Sequence, residues 1–220
     1  GLGRALLASP QFLLLDEPLA SLDQGLKGQI LPFLKRVKDE LELPMVYISH
    51  SMEEILHLTD QLVVINNGRI LGAGHFHDVI KADAVQGVAS SMGLENILTV
   101  RIVGHDIESG HTLAESNGNI LLLPLTDKFV MGDVCYISIR SNEVAIAKHR
   151  IEHISIQNQI KGRIMSSAKN TACVALHVDI GSRLIVDITP KAFAELALVD
   201  GGEVHCLIKA QSFAFLGKVG

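Results

Sequence analysis

Two adjacent carboxylates, Asp16 and Glu17, close the apolar run Phe12-Leu13-Leu14-Leu15, and a third, Asp23, follows in the stretch Leu19-Ala20-Ser21-Leu22-Asp23. Farther along, a second apolar run, Met45-Val46-Tyr47-Ile48, ends in Ser49-His50. An acid pair and a histidine delivered to one place suit the chemistry of a metal-bound phosphate ester. Asp16 is expected to hold Mg²⁺, Glu17 to orient or deprotonate a water, and His50 to contact the terminal phosphate.

The elements beneath these residues can be read from periodicity. Four apolar residues without polar alternation predict a strand buried on both faces, as in a parallel sheet flanked by helices. Acids at the carboxyl end of such a strand sit where open α/β sheets bind ligands. Between the two strands, Leu26, Ile30, Leu34, Val37 and Leu41 recur at spacings of three and four, which predicts one face of an amphipathic helix. Lys27, Lys35, Arg36 and Lys38 read as its solvated face, and Pro44 as its end. Ser51, with Glu54 three residues on, predicts a capping box at the start of a helix through Ile55 and Leu58. A strand over Gln61–Ile65 then turns at Asn67-Gly68, a two-residue hairpin signal, and returns through Arg69-Ile70-Leu71. Residues 73 to about 92 are mixed in character and expected to be mainly helical.

These motifs, in this order and spacing, resemble the ATP-binding subunits of ABC transporters. Leu13-Leu14-Leu15-Asp16-Glu17-Pro18 looks like the Walker B strand with its glutamate, Ser21-Leu22-Asp23 like the D-loop, and Ile48-Ser49-His50-Ser51 like the switch histidine. The resemblance implies an α/β P-loop NTPase fold, present in part over residues 1–92. Glu17 and His50 would be catalytic, Asp16 a Mg²⁺ ligand, and Asp16, Ser21 and Asp23 part of the ATP contact. Gly1 to Ala8, which opens without an initiator Met, looks like the helix after the family's signature loop, entered partway. No G-x-x-x-x-G-K-[ST] pattern occurs, and the family's Leu-Ser-Gly-Gly signature, glutamine loop and adenine-stacking aromatic are missing too. By itself, therefore, the chain is expected neither to bind nor to hydrolyse ATP appreciably.

Composition sets wider bounds. The 220 residues allow one or two domains and a sizeable core. A hydrophobic content of 48% with a net charge of -5 describes a globular chain and gives no sign of a nucleic-acid partner. No apolar run approaches the ~18 residues that cross a bilayer, and no signal peptide is visible, so a soluble chain is expected. Cys135, Cys173 and Cys206 are odd in number and far apart, which suits reduced, buried thiols in the cytosol better than disulfides or a metal site.

Beyond Gly93 the sequence turns all-β. Leu98–Ile102, Asn119–Leu123 and Val134–Ile139 read as strands, with Asn117-Gly118 a tight turn. The layout recurs: Asn96 to Ile102 resembles Asn158 to Ile164, and Gly132 and Arg140 are spaced as Gly201 and Lys209 are, each basic residue being followed by an apolar one, Val144 or Phe213. Two related small barrels of oligonucleotide-binding (OB) shape are expected, over residues 93–153 and 154–220. The second copy, from Ile154-Ser155-Ile156-Gln157-Asn158 through Ile188-Thr189 to Ile208-Lys209-Ala210, looks like the Mop (TOBE) domain, a molybdate-binding module. That likeness implies an oxyanion site between chains at Ser155, Gln157, Asn158, Thr189 and Lys209. Gln157 stands where the family has an arginine and Ala192 where a serine sometimes donates, which weakens the charge match to a dianion.

Together the resemblances imply the carboxy-terminal part of the ATP-binding and ATP-hydrolysing subunit of a molybdate or tungstate importer, with an oxyanion-binding regulatory tail. They imply a homodimer beneath two membrane permease subunits, peripheral on the cytoplasmic side of the cell membrane. A non-catalytic oxyanion sensor or storage protein is the alternative from another class, and an ATPase for sulfate, sugar, polyamine or iron import is a second. The triad of Asp16, Glu17 and His50 weighs against the first.

Overall fold

The computed structural model describes residues 10–80 and 82–219, apart from the side chains of Gln24 and Asp83, and the chain divides between Val79 and Ile80 into two compact units. The opening helix expected over Gly1 to Ala8 lies outside the described residues. The division falls ahead of the boundary expected at residue 92.

In the first unit, strands β1 (Leu13–Asp16) and β2 (Met45–Ile48) pair in parallel, Leu13 opposite Met45 and Asp16 opposite Ile48. Between them runs helix α1 (Gln24–Leu41), and after β2 comes α2 (Met52–Leu58). Leu13, Leu15, Leu19, Leu31, Leu34, Leu43 and Leu58 make the core. Burial of β1 on both faces, expected from its unbroken apolar run, does not occur: Leu13 and Leu15 are inside, whereas Leu14 is 61% and Phe12 52% exposed. Val46 and Ile48 of β2 are exposed as well. Among the described residues this sheet has two strands with helices packed on one side, so successive side chains, which point to opposite faces, divide into a buried row and an open one.

Helix α1 departs from its predicted pattern for a related reason. At 18 residues it is about 27 Å long, at about 1.5 Å per residue, and overhangs so narrow a sheet. Leu31, Leu34 and Val37 are buried while the terminal Leu26 and Leu41 are exposed. The helix ends at Glu42, in the left-handed conformation, rather than at Pro44. Its lysines are not all solvated: Lys27 Nζ donates to Glu54 at 2.8 Å and Lys38 Nζ to the Leu58 carbonyl at 2.7 Å, tying α1 to α2. Strands β3 (Gln61–Asn66) and β4 (Arg69–His75) form the expected hairpin, with Asn67 and Gly68 both at positive φ, as such a two-residue turn requires. One helical turn, α3 (Phe76–Val79), closes the unit.

The second unit opens with α4 (Asp83–Ser91) and is otherwise mostly β. The first repeat supplies β5 (Asn96–Asp106), β6 (His111–Ser116), β7 (Asn119–Pro124), β8 (Val134–Ile139) and β9 (Ala145–Ala147). The second supplies β10 (Asn158–Lys169), β11 (Val174–Asp179), β12 (Arg183–Ile188), α5 (Pro190–Glu195), β13 (Glu203–Ile208) and β14 (Ala214–Lys218). The two repeats match in register: Asn96 lies opposite Ile139 and Asn158 opposite Ile208, and both long strands carry a bulge, after Ile102 and after Ile164.

The two five-stranded sheets run in the orders β14-β8-β5-β6-β7 and β12-β11-β10-β13-β9. Each repeat therefore gives its last strand to the other. The 3-10 turn Ser141–Glu143 packs against β12, and the turn Ala210–Ser212 against β7, which carries each chain end across. Neither repeat closes alone, and residues 93–153 and 154–220 share one core, from Leu98 to Phe213. Cys135 and Cys206 lie in that core, where burial pushes both thiols up to about 12, and Cys173 is half-buried. No described helix is long and apolar enough to cross a membrane.

Candidate functional site

The parallel pairing of β1 and β2 brings the first set of candidates together. Glu17 directly follows β1 with φ 45°, and its N–H donates to the Ile48 carbonyl at 2.9 Å, so the ends of the two strands are locked side by side. Across that junction Glu17 Oε1 and His50 Nδ1 lie 2.8 Å apart. Their side chains are 36% and 78% exposed, and the contact faces solvent. Asp16, the last residue of β1, is exposed beside them.

Ser21 and Asp23 are placed differently. Asp23 is the N-cap of α1: its Oδ1 accepts from the Leu26 N–H at 2.9 Å, satisfying one of the free donors of the first turn. Ser21 is exposed in the turn before it. Among the described residues no hydrogen bond joins either to Glu17 or His50. A nucleotide role for them stays an expectation of the motif, whereas Glu17 and His50 are in contact.

Behind His50 sits a residue that the sequence reading undervalued. The capping box forms by half: Ser51 Oγ accepts from the Glu54 N–H at 3.4 Å, but the Glu54 side chain does not reach back to Ser51. It lies 3% exposed and accepts from Lys27 Nζ, Tyr47 Oη and Ser49 Oγ, each at 2.8 Å. Burial pushes this carboxyl up, and the hydrogen bonds from Lys27, Tyr47 and Ser49 outweigh it, holding Glu54 below the usual carboxylate range. The Tyr47 phenol is raised by burial and by the Glu54 carboxylate beside it. A glutamate three residues after a Ser cap reads first as a cap partner, and sequence alone carries no signal that it turns inward.

As for Mg²⁺, among the described residues no three His, Cys, Asp or Glu side chains gather as a metal cage. Mg²⁺ is commonly held by one or two carboxylates together with substrate phosphates and water. Asp16 lies exposed at the strand end, and a Mg²⁺ role for it stays an expectation of the motif.

The five oxyanion candidates are not brought together as a set. The register of β10 against β13 puts Gln157 and Lys209, the residues just beyond the Asn158 and Ile208 pair, at neighbouring strand ends, both exposed. Ser155 is exposed two residues before Gln157. Thr189 directly follows β12, and its Oγ1 accepts from the Ala192 N–H at 3.1 Å as the cap of α5. Asn158 is committed elsewhere: it is 3% exposed, its Oδ1 accepts from the Leu122 N–H at 2.8 Å and its Nδ2 donates to the Leu122 carbonyl at 2.9 Å.

Asn96, the equivalent residue, repeats this clasp on Ile185, accepting from its N–H at 2.6 Å and donating to its carbonyl at 2.8 Å. Strands β7 and β12 each lie at one edge of their sheet, β14 and β9 lying at the other. Each asparagine amide therefore stands in for one peptide group of a further strand, capping an edge that would otherwise leave backbone groups unpaired. Beside Asn96, at the place Gln157 holds in the other repeat, Glu95 has a buried carboxylate oxygen without a hydrogen-bond partner among the described residues, which makes the first repeat's end unsuited to an anion.

Residues 154–215, in the mostly β second unit, match the model of the TOBE domain. Among curated proteins, the chain is similar to molybdenum import ATP-binding proteins named ModC. That of Rhodospirillum rubrum is 34% identical over 218 residues, covering 96% of this chain and 59% of its own length. That of Shewanella oneidensis is 37% identical over 216 residues, covering 94% and 58%, and that of Escherichia coli (strain K12) 31% identical over 212 residues, covering 96% and 60%. The chain thus spans about three fifths of the length of the curated relatives it matches. Among solved structures, a molybdate-bound form of the cytoplasmic molybdate-binding protein ModG covers 55% of this chain and 94% of its own at 15% identity and a TM-score of 0.49, a likeness too partial to carry an argument.

Proposed function

We propose that this chain corresponds to the carboxy-terminal part of the ATP-binding subunit of a molybdate or tungstate ABC importer. Residues 1–92 would belong to its P-loop NTPase domain and the remainder to an oxyanion-responsive tail. The observation that carries this reading is the contact of Glu17 Oε1 with His50 Nδ1 at 2.8 Å, held at the carboxyl ends of two parallel strands. The alignment with ModC proteins over nearly the whole chain supports it. By the same reading the intact subunit is a homodimer on the cytoplasmic face of the membrane, beneath its permease subunits.

Bound ATP would supply the phosphoryl group, and Mg²⁺ at Asp16 would neutralise charge on its oxygens. Glu17 keeps Oε2 free to accept a proton from water while Oε1 is engaged by His50. With the imidazole protonated, Nδ1–H donates to Glu17 and Nε2–H remains to donate to an anionic oxygen, so the pair orients the water and meets developing charge together.

The test is Glu17→Gln in a subunit that carries these residues together with a P-loop. Turnover is expected to fall by roughly 10²- to 10⁴-fold, the scale of general-base loss, with ATP binding retained. Asp16→Asn should instead weaken the Mg²⁺ complex, raising the Mg²⁺ concentration that hydrolysis requires, and His50→Ala should slow hydrolysis with nucleotide still bound. Near-normal turnover in Glu17→Gln would overturn the assignment of roles.

A further inference from the structure

We propose that Glu54 is a positioning residue for His50, acting through the two serines that flank it; this rests on the catalytic reading of Glu17 and His50 above. His50 is 78% exposed at its side chain, and the Glu17 carboxylate is its described partner. Its placement is therefore decided by its backbone. Both neighbours in sequence are tied to Glu54. Ser49 Oγ donates to Glu54 Oε2 at 2.8 Å, and Ser51 Oγ accepts from the Glu54 N–H at 3.4 Å. Ser51 N–H donates to Ser49 Oγ at 3.1 Å, which closes a small ring of hydrogen bonds around the histidine.

Glu54 is itself pinned from two directions. Lys27 Nζ, from α1, holds Oε1, and Tyr47 Oη, from β2, holds Oε2, each at 2.8 Å. A carboxylate 3% exposed with three such donors has little freedom, since losing any of them would leave charge or polar groups uncompensated in a dry place. A helix cap alone needs none of this: a surface glutamate bonded to the Ser51 N–H would satisfy the helix. The inward turn joins α1, β2 and the start of α2 at the residues on either side of His50. The rigidity passed on is that of Nδ1 relative to Glu17 Oε1, the contact on which the proposed chemistry depends.

The experiment compares hydrolysis by the full subunit, carrying a P-loop, in wild type, Ser49→Ala, Glu54→Gln and His50→Ala forms, and in Ser49→Ala and Glu54→Gln each combined with His50→Ala. Misplacing a catalytic group by an ångström costs up to about 100-fold, so Glu54→Gln and Ser49→Ala are expected to lower kcat about 10- to 100-fold with KM for ATP unchanged. In the His50→Ala background the same substitutions should cost no further activity, because they act only through the histidine. Lys38→Met, which cuts the other described tether between α1 and α2, should leave kcat unchanged. Ser49→Ala keeps the Lys27–Glu54–Tyr47 contacts and serves if Glu54→Gln does not fold. Full additivity with His50→Ala, or wild-type kcat in Ser49→Ala, would overturn the positioning role. Unchanged turnover in His50→Ala itself would instead overturn the catalytic reading beneath it.

Discussion

Replacing Asn158 with Ala separates a clasp from a ligand. In the folded chain the Asn158 amide, 3% exposed, exchanges two hydrogen bonds of 2.8 and 2.9 Å with the backbone of Leu122 on the edge of β7. Truncation removes both and leaves a peptide N–H and C=O facing a side chain that cannot bond them. Each such group stranded away from water costs about 1–3 kcal/mol. Leu122 is itself only half-buried, so water recovers part of that, and the lower half of the range applies to the pair together: about 2–4 kcal/mol. For a chain of this size about 3 kcal/mol lowers the midpoint of thermal unfolding by roughly 6–12 °C. Circular dichroism of the β signal on heating measures it. Asn96→Ala should fall by a similar amount, because its clasp on Ile185 has the same two bonds. Asn158→Asp should do no better than Ala, since it keeps the acceptor but turns a carboxylate oxygen toward the Leu122 carbonyl. A midpoint within about a degree of wild type in Asn158→Ala, accompanied by loss of oxyanion binding, would refute the clasp and return Asn158 to the ligand set.

Three further outcomes are expected. Gly162→Ala should destabilise the second unit by about 1–3 kcal/mol in denaturant titration, because a Cβ there would sit 2.7 Å from Val178 Cγ1 and 2.9 Å from the Asp179 carbonyl. Burial, with Arg183 beside it, lowers the His177 pKa below the usual imidazole value of 6.5, so the folded state favours the neutral ring. The stability it contributes is full above pH 6.5 and is lost as pH falls from there through the lowered folded pKa; His177→Gln should flatten that limb of a stability-against-pH curve. Gln157→Arg, which restores a bidentate cation next to Lys209, should tighten molybdate binding by the tail in calorimetry, and Lys209→Ala should abolish it. Absence of measurable molybdate, tungstate or sulfate binding in wild type and Gln157→Arg alike would make the tail a structural barrel rather than an oxyanion-responsive one.

Much of this protein was legible in its sequence because the signals are local. The runs ending at Asp16 and Ile48 give parallel strands, Asn67-Gly68 forces a hairpin, and the recurrence of Asn96 as Asn158 and of Val144 as Phe213 marks a duplicated β layout. The pairing of Glu17 with His50 also followed from order along the chain, since residues that end adjacent parallel strands must arrive together. Tertiary structure decided the rest, and in each case the reason is competition for partners. An apolar run states that a strand has two faces to bury, but only the elements packed against it determine whether both are covered, and Leu14 and Ile48 are not. A glutamate after a serine cap can bond the helix end or turn inward, and three donors from α1 and β2 took Glu54 inward. An asparagine at a strand start can bind a ligand or a neighbouring backbone; the exchange of β9 and β14 between repeats brought open edges within reach, and both asparagines closed on them.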